Sequence, residues 1–254
     1  MSARVDETNK VFDAVPKEAR VLVGVSGGKD SVVTLAAAVE RLGVARVEGF
    51  LMELIPGLEC EWKTIRPLIA RYKIPFHTVP HWQLSHFLRD NVYRTYMPGS
   101  DAIRKLKQVD VERHLRAKTG VEWFAFGWRT SDSMTRNAYL KNVSGVDAKA
   151  RRIFPVWTWK TEDILAYVRL KRLPLQKPIG GAHKKTSGVN LTPETLVWLK
   201  SEFPDDYKKV LRVFPLAGAA VFRHEYMNGK ELMAARKKAR HEKVYGGSKQ
   251  VSEV

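Results

Sequence analysis

Six consecutive residues, Ser26-Gly27-Gly28-Lys29-Asp30-Ser31, constrain this chain more than any other feature. Before them, Arg20-Val21-Leu22-Val23-Gly24-Val25 is a short β-branched run that reads as a buried strand. After them, Val32-Val33-Thr34-Leu35-Ala36-Ala37-Ala38-Val39 reads as a helix. A strand, a glycine turn and a helix N-terminus in that order build an anion site. The glycines let the backbone approach closely and adopt positive φ, and the first helical turn leaves its N–H groups without intrahelical partners. Ser26 and Ser31 add hydroxyls, and Lys29 adds a cation beside the positive end of the helix dipole. The competing reading is an ordinary glycine turn capped by Asp30 or Ser31. Six specified residues in the right strand–helix context weigh against it. Two better-known phosphate loops are excluded: the Walker type needs a longer glycine span before its Lys-Ser/Thr pair, and the dinucleotide fingerprint needs three spaced glycines.

With 254 residues the chain has room for one large α/β domain, or for a domain with a modest appendage. No run approaches the length of a membrane span, and the first residues lack an apolar signal region, so a cytoplasmic setting without membrane association is expected. Cys60 is the sole cysteine. That excludes an intramolecular disulfide, a cysteine-ligated iron–sulfur cluster supplied by this chain alone, and a multi-cysteine zinc site. The balance of 44 Lys and Arg against 27 Asp and Glu gives a formal charge of +17. Polyanions are the natural partners of such a surface: nucleotides, nucleic acid, or both. A basic surface without any polymer partner is the equally weighted alternative.

Along the chain, residues 46–52 and 75–79 read as a second and a third strand, and residues 121–126 as a fourth closed by Gly127. Helical spacing runs over residues 59–72, 82–92 and 102–118, with Gly43 and Gly120 as stops. Strands separated by helices of ten or more residues argue for a parallel sheet. The fold class is therefore α/β, a Rossmann-like doubly wound parallel sheet with a mostly helical C-terminal extension. Its division is an N-terminal segment at residues 1–19, a nucleotide-binding domain at 20–175 and a basic helical extension at 176–254. In such a sheet ligands collect at the carboxyl ends of the strands, where Gly24, Met52, Glu53, Gly127 and Arg129 fall.

A second constellation leaves the fourth strand: Gly127-Trp128-Arg129-Thr130-Ser131-Asp132-Ser133-Met134-Thr135-Arg136. Arg129 and Arg136 are expected to reach the mouth of the first loop, where guanidinium forks suit phosphate or sulfate oxygens. A third block, Ile153-Phe154-Pro155-Val156-Trp157-Thr158-Trp159-Lys160-Thr161-Glu162-Asp163-Ile164, reads as a strand, a proline turn, tryptophans against the core and a helix capped by Thr161. Arg151 or Arg152 is left as a candidate to face the site.

Together, in this order, the Ser-Gly-Gly-Lys-Asp-Ser loop, the Gly-x-Arg-x-x-x-Ser-x-x-Arg segment and the Ile-x-Pro-x-x-x-Trp-x-x-x-Asp-Ile block resemble the phosphoadenosine phosphosulfate (PAPS) reductase family. That family lies within the PP-loop ATP pyrophosphatases, or adenine-nucleotide α-hydrolases. The resemblance covers roughly residues 20–175. It implies that Ser26, Gly27, Gly28, Lys29, Asp30 and Ser31 bind the β- and γ-phosphates of ATP. It also implies that backbone near Leu51, Met52 and Glu53 faces adenine, and that Gly127, Arg129 and Arg136 contact the nucleotide or the transferred group. Lys29, Arg129 and Arg136 are the implied catalytic residues. The implied reaction cleaves ATP at the α-phosphate to pyrophosphate and an adenylylated acceptor. Mg²⁺ is expected with the ATP, held mainly by phosphate oxygens and, through water, by Asp30 or Glu53.

The chain departs from a true PAPS reductase, which carries a nucleophilic cysteine in a Glu-Cys-Gly-type sequence near its C-terminus. Here the counterpart region, residues 183–188, has no thiol, and a serine cannot replace a thiolate. Cys60 reads as a small buried residue. Reduction of a sulfonucleotide through an external thiol stays as one alternative. A nucleotide- or nucleic-acid-binding module without catalysis is another, linked to nucleic-acid modification. His77, His81 and His86 cluster, yet their spacing fits packing better than a zinc site, and Ser26 or Ser31 lacks the surroundings of a hydrolase nucleophile. Lys184 and Lys185 are read as a basic lid over the triphosphate. Residues 230–243 read as a basic amphipathic helix, either a solvated cover or a grip on nucleic-acid phosphates. The acceptor and the oligomeric state, self-association included, stay open.

Overall fold

The structure is a computed structural model, and it describes residues 2–175 and 190–227. The expected lid at Lys184–Lys185 and the basic helix at 230–243 lie outside the described residues. Six strands form one sheet in the order β3-β2-β1-β4-β6-β5. They are β1 (Val21–Gly24), β2 (Val47–Glu53), β3 (Phe76–Pro80), β4 (Trp123–Ala125), β5 (Val146–Asp147) and β6 (Arg152–Ile153). β1, β2, β3, β4 and β6 run parallel, and the edge strand β5 pairs antiparallel to β6. The α/β reading of the sequence therefore stands.

Side chains alternate between the two sides of a strand, so each strand feeds two cores. Val21, Val23, Val47 and Leu51 join a cluster with α1 (Ser2–Asp13), α2 (Lys29–Leu42), α3 (Glu59–Tyr72) and α7 (Thr161–Lys171). Leu22, Phe50 and Phe124 face the other side and meet Val111 and Leu115 of α5 (Gln108–Thr119) and Leu140 of α6 (Met134–Val143). Helices on both faces of a mostly parallel sheet define the doubly wound arrangement.

The chain lays down β1, β2 and β3 toward one edge, then crosses to β4 on the far side of β1. This reversal between β1 and β4 is a topological switch point, and it falls where the glycine loop leaves β1. The helices α8 (Pro193–Glu202), α9 (Pro204–Val213) and α10 (Ala217–Phe222) do not stand apart. Leu196, Leu199, Val210 and Phe214 bury themselves with Leu54, Ile55 and Leu58 of the β2–α3 connection.

Three elements differ from expectation. The N-terminal segment contains α1, whose Val11 and Phe12 are buried in the first core. α5 starts at Gln108, later than residue 102, after a short 3-10 turn at Ser100–Ala102. Thr161 is the first helical residue of α7 instead of its cap; the Lys160 N–H, one position earlier, donates to Asp163 Oδ2 at 2.9 Å.

The first turn of α3 is capped from a distance. Leu58 offers no side-chain cap, and Asp206 of α9 accepts from the Glu59 N–H at 2.9 Å and the Cys60 N–H at 2.8 Å. Lys209 Nζ closes the arrangement on Asp206 Oδ1 at 3.0 Å. Burial alone would raise the Asp206 carboxyl, but the two backbone N–H groups and the Lys209 ammonium outweigh it, and the group titrates below the ordinary carboxylate range. Because the folded value is depressed, this stabilisation is full above the unfolded value and is lost as pH falls through the folded one. Asp206→Asn is expected to lose about 3 kcal/mol of unfolding free energy at pH 7. In urea denaturation the gap between wild type and variant should narrow as the pH is lowered from 5 to 3.

Candidate functional site

The glycine loop takes the shape its sequence calls for. Gly27 adopts φ +76, a region that favours glycine, and Gly28 is the extended N-cap of α2 without a side-chain cap bond. Ser31 braces the turn: its Oγ accepts from the Ser26 N–H at 3.1 Å and donates to the Gly28 carbonyl at 2.8 Å. The hydroxyl that might have capped the helix is spent on loop geometry, so the helix start faces outward. Lys29 is buried, only 7% exposed, with Nζ at 2.8 Å from Asp30 Oδ2.

The loop after β4 comes in against this turn. Gly127 packs so closely that a Cβ there would lie 2.7 Å from the Asp30 carbonyl carbon and 2.9 Å from the Ser31 nitrogen. Any side chain would push the β4–α6 connection off the helix start. This close approach calls for glycine at 127, which also lines the cavity described next. It carries Arg129 to Asp30, with Nε at 2.9 Å from Oδ1, an ion pair whose two atoms lack hydrogen-bond alignment.

A cavity of about 520 Å³ opens at the switch point. Its floor is Gly24, Val25, Ser26 and Gly28; one wall carries Leu51, Met52 and His81, and the other carries Gly127, Trp128, Arg129 and Arg136. Lys29, Asp30 and Ser31 also line it. Of the residues expected at the site, Gly27 and Glu53 are absent from this lining. Gly27 turns the chain behind the loop against Glu61. Glu53 Oε1 accepts from the Gly57 N–H at 2.9 Å and from Trp62 Nε1 at 3.0 Å, which ties it to the β2–α3 turn.

The two arginines are unlike. Arg129 is 4% exposed and its guanidinium donates to the Trp159 carbonyl and Thr161 Oγ1 at 3.4 and 3.3 Å, besides pairing with Asp30. It clamps the cavity wall together. Arg136 lies at the surface, over the Trp128 ring with 4.7 Å to the centroid, its Nη1 on Asp132 Oδ2 at 3.0 Å. Arg151 and Arg152 do not face the site: Arg152 forks onto Glu112 and Arg151 pairs with Glu122.

As for cations, Asp30 pairs with Lys29 and Arg129, and Glu53 is tied to the β2–α3 turn. Among the described residues no group of three or more His, Cys, Asp or Glu is arranged to hold a metal. The three histidines part company: His77 bonds Glu48, His86 bonds the Leu106 carbonyl, and His81 caps α4 (Trp82–Arg89) by accepting the Gln83 N–H on Nδ1. Burial pushes His81 down to about 4, so its ring stays neutral and Nε2 carries the proton. His81 lines the cavity, a place the sequence did not give it when it grouped His81 with His77 and His86 as packing residues.

No family model matches this chain, and no curated protein matches it. Among solved structures, it is similar to the U34-tRNA thiolase NcsA from Methanococcus maripaludis with its [4Fe-4S] cluster: TM-score 0.49, 16% identity, over 85% of this chain and 78% of that one. It is also similar to the phosphoadenylyl-sulfate (PAPS) reductase from Candida auris in a phosphate complex: TM-score 0.43, 15% identity, over 72% of this chain and 96% of that one. Overlaps this loose assign neither chemistry to this chain.

Cys60 is 1% exposed, and burial, with Glu61 and Asp206 nearby, raises its thiol far above the ordinary range. Iodoacetamide should leave the native protein unmodified at pH 8 and alkylate Cys60 fully after denaturation, as read by intact mass. Gly127→Ala is expected to cost about 1–3 kcal/mol in urea denaturation, since backbone must move to admit the methyl group.

Proposed function

We infer that this cavity binds the triphosphate of ATP and that the chain transfers AMP from it to an acceptor. The observation that carries the reading is the outward-facing start of α2: a helix N-terminus without a side-chain cap, beside buried Lys29, opening into a cavity at the switch point of the sheet. A volume of about 520 Å³ lies within the range of small-molecule sites.

Backbone N–H groups of the loop and the Lys29 ammonium take the β- and γ-phosphates. The acceptor attacks the α-phosphorus, the bond from that phosphorus to the bridging oxygen breaks, and pyrophosphate leaves with the electron pair. Catalysis of this kind is positioning plus stabilisation of charge, and no protein side chain has to be modified on the way. Arg136 supplies positive charge at the mouth, while Arg129 acts through Asp30 by fixing the helix start. Leu51 and Met52 form the wall against the base. Mg²⁺ accompanying the nucleotide would supply charge neutralisation on the leaving pyrophosphate, beside the Lys29 ammonium.

Reduction through the chain's own thiol is disfavoured by the burial of Cys60. The surplus of +17 favours a polyanionic acceptor, and nucleic acid is the class that fits it best. A steep fall of RNA or DNA binding with salt supports that acceptor class, and a flat response removes it.

Isothermal titration with ATP and Mg²⁺ tests the central reading. Lys29→Ala should weaken ATP binding by about 10–100-fold in protein that keeps the wild-type circular dichroism spectrum. Wild-type protein that shows no heat of binding, or a variant that releases pyrophosphate as fast as wild type, would overturn it.

A further inference from the structure

We propose that Asp132 is a positioning residue that holds Arg136 across the mouth of the cavity and presents it to the bound anion. Asp132 lines the cavity between a buried and an exposed arginine. Its Oδ2 accepts from the Arg129 backbone N–H at 3.0 Å and from Arg136 Nη1 at 3.0 Å, while Oδ1 lies 3.7 Å from Arg129 Nη2. The Asp132 N–H returns a bond to the Arg129 carbonyl at 3.1 Å. One carboxylate thus joins a rigid part of the wall to a side chain with freedom to move.

The asymmetry of the two arginines gives this join a direction. Arg129 is held by the Trp159 carbonyl, Thr161 and Asp30 whether or not Asp132 keeps its charge. Arg136 has a 42% exposed side chain and is seated by the Asp132 carboxylate and by the face of Trp128. Trp128 is in turn stacked on Phe126 and Phe154, with centroids at 5.5 and 5.3 Å, so the platform is itself fixed. An exposed arginine on a long stem samples many rotamers unless something holds it, and ordering it costs side-chain entropy. Asp132 meets that cost before the ligand arrives. From Lys29 through Asp30, Arg129 and Asp132 to Arg136, charges alternate from the loop to the rim, with cations at both ends. The two ends are where an extended anion would find positive charge.

The ligand side of this proposal rests on the nucleotide reading of the cavity, so the test has one arm without ligand. In protein with ¹⁵N-labelled arginine, the Arg136 Nε–H resonance is assigned by its loss in Arg136→Lys. Its heteronuclear NOE should be high in wild type and fall sharply in Asp132→Asn, with Arg129 unaffected. An unchanged NOE in Asp132→Asn overturns the proposal. In the second arm, ATP affinity is measured in wild type, Asp132→Asn, Arg136→Ala and the double variant. Asp132→Asn alone should weaken ATP by about 5–10-fold, and by less than about 2-fold once Arg136 is gone. Losses that multiply in the double variant mean Asp132 acts independently of Arg136, which also overturns it. If the NOE falls as expected yet wild type binds no ATP, the seating of Arg136 stands and the nucleotide reading fails.

Discussion

The site depends on one contact in which a side chain is impossible. Gly127 lies against the first turn of α2, and a β-carbon there would come within 2.7 Å of the Asp30 backbone. Because the two chain segments touch main chain to main chain, Arg129 two residues later is delivered to Asp30, and Asp132 and Arg136 follow onto the rim. Remove the close approach and the strand β4 still forms, but the second wall no longer meets the loop. Most of the rest of the cavity, including its floor at Gly24 and its wall at Met52, follows from the parallel sheet alone.

The charges assembled by that contact are not there for stability. Burying Lys29 and Arg129 against the half-buried Asp30 takes charge out of water, and that desolvation penalty can exceed the Coulombic return. The misaligned pair between Asp30 Oδ1 and Arg129 Nε extracts less than an ideal fork would. Such an arrangement makes sense as a preorganised field around an incoming anion, in which the dipoles and cations are fixed before the ligand enters.

What the sequence made readable was whatever local pattern decides. A β-branched run announced β1, and glycines announced the ends of α2 and α5 at Gly43 and Gly120, both of which adopt positive φ. α1 escaped notice because its stretch is polar apart from Val5, Val11 and Phe12, and only tertiary burial of that thin apolar stripe makes it stable. The six-residue loop was legible in full as a unit. Its members' separate duties were not: Ser31 braces, Gly27 turns away, and Arg129 clamps, and all three depend on neighbours distant in sequence. Glu53 looked like a strand-end ligand, yet Trp62 and the Gly57 N–H capture it, a local event that spacing alone does not reveal. His81 entered the wall because the β3–α4 connection happens to curl there.

The remote cap on α3 has a consequence during synthesis. The helix that backs Gly27 has its first two N–H groups satisfied by a carboxylate 147 and 146 positions downstream. A nascent chain leaving the ribosome therefore exposes a glycine loop whose supporting helix begins with orphaned donors. The loop acquires its final backing only once the segment bearing Asp206 has emerged and docked.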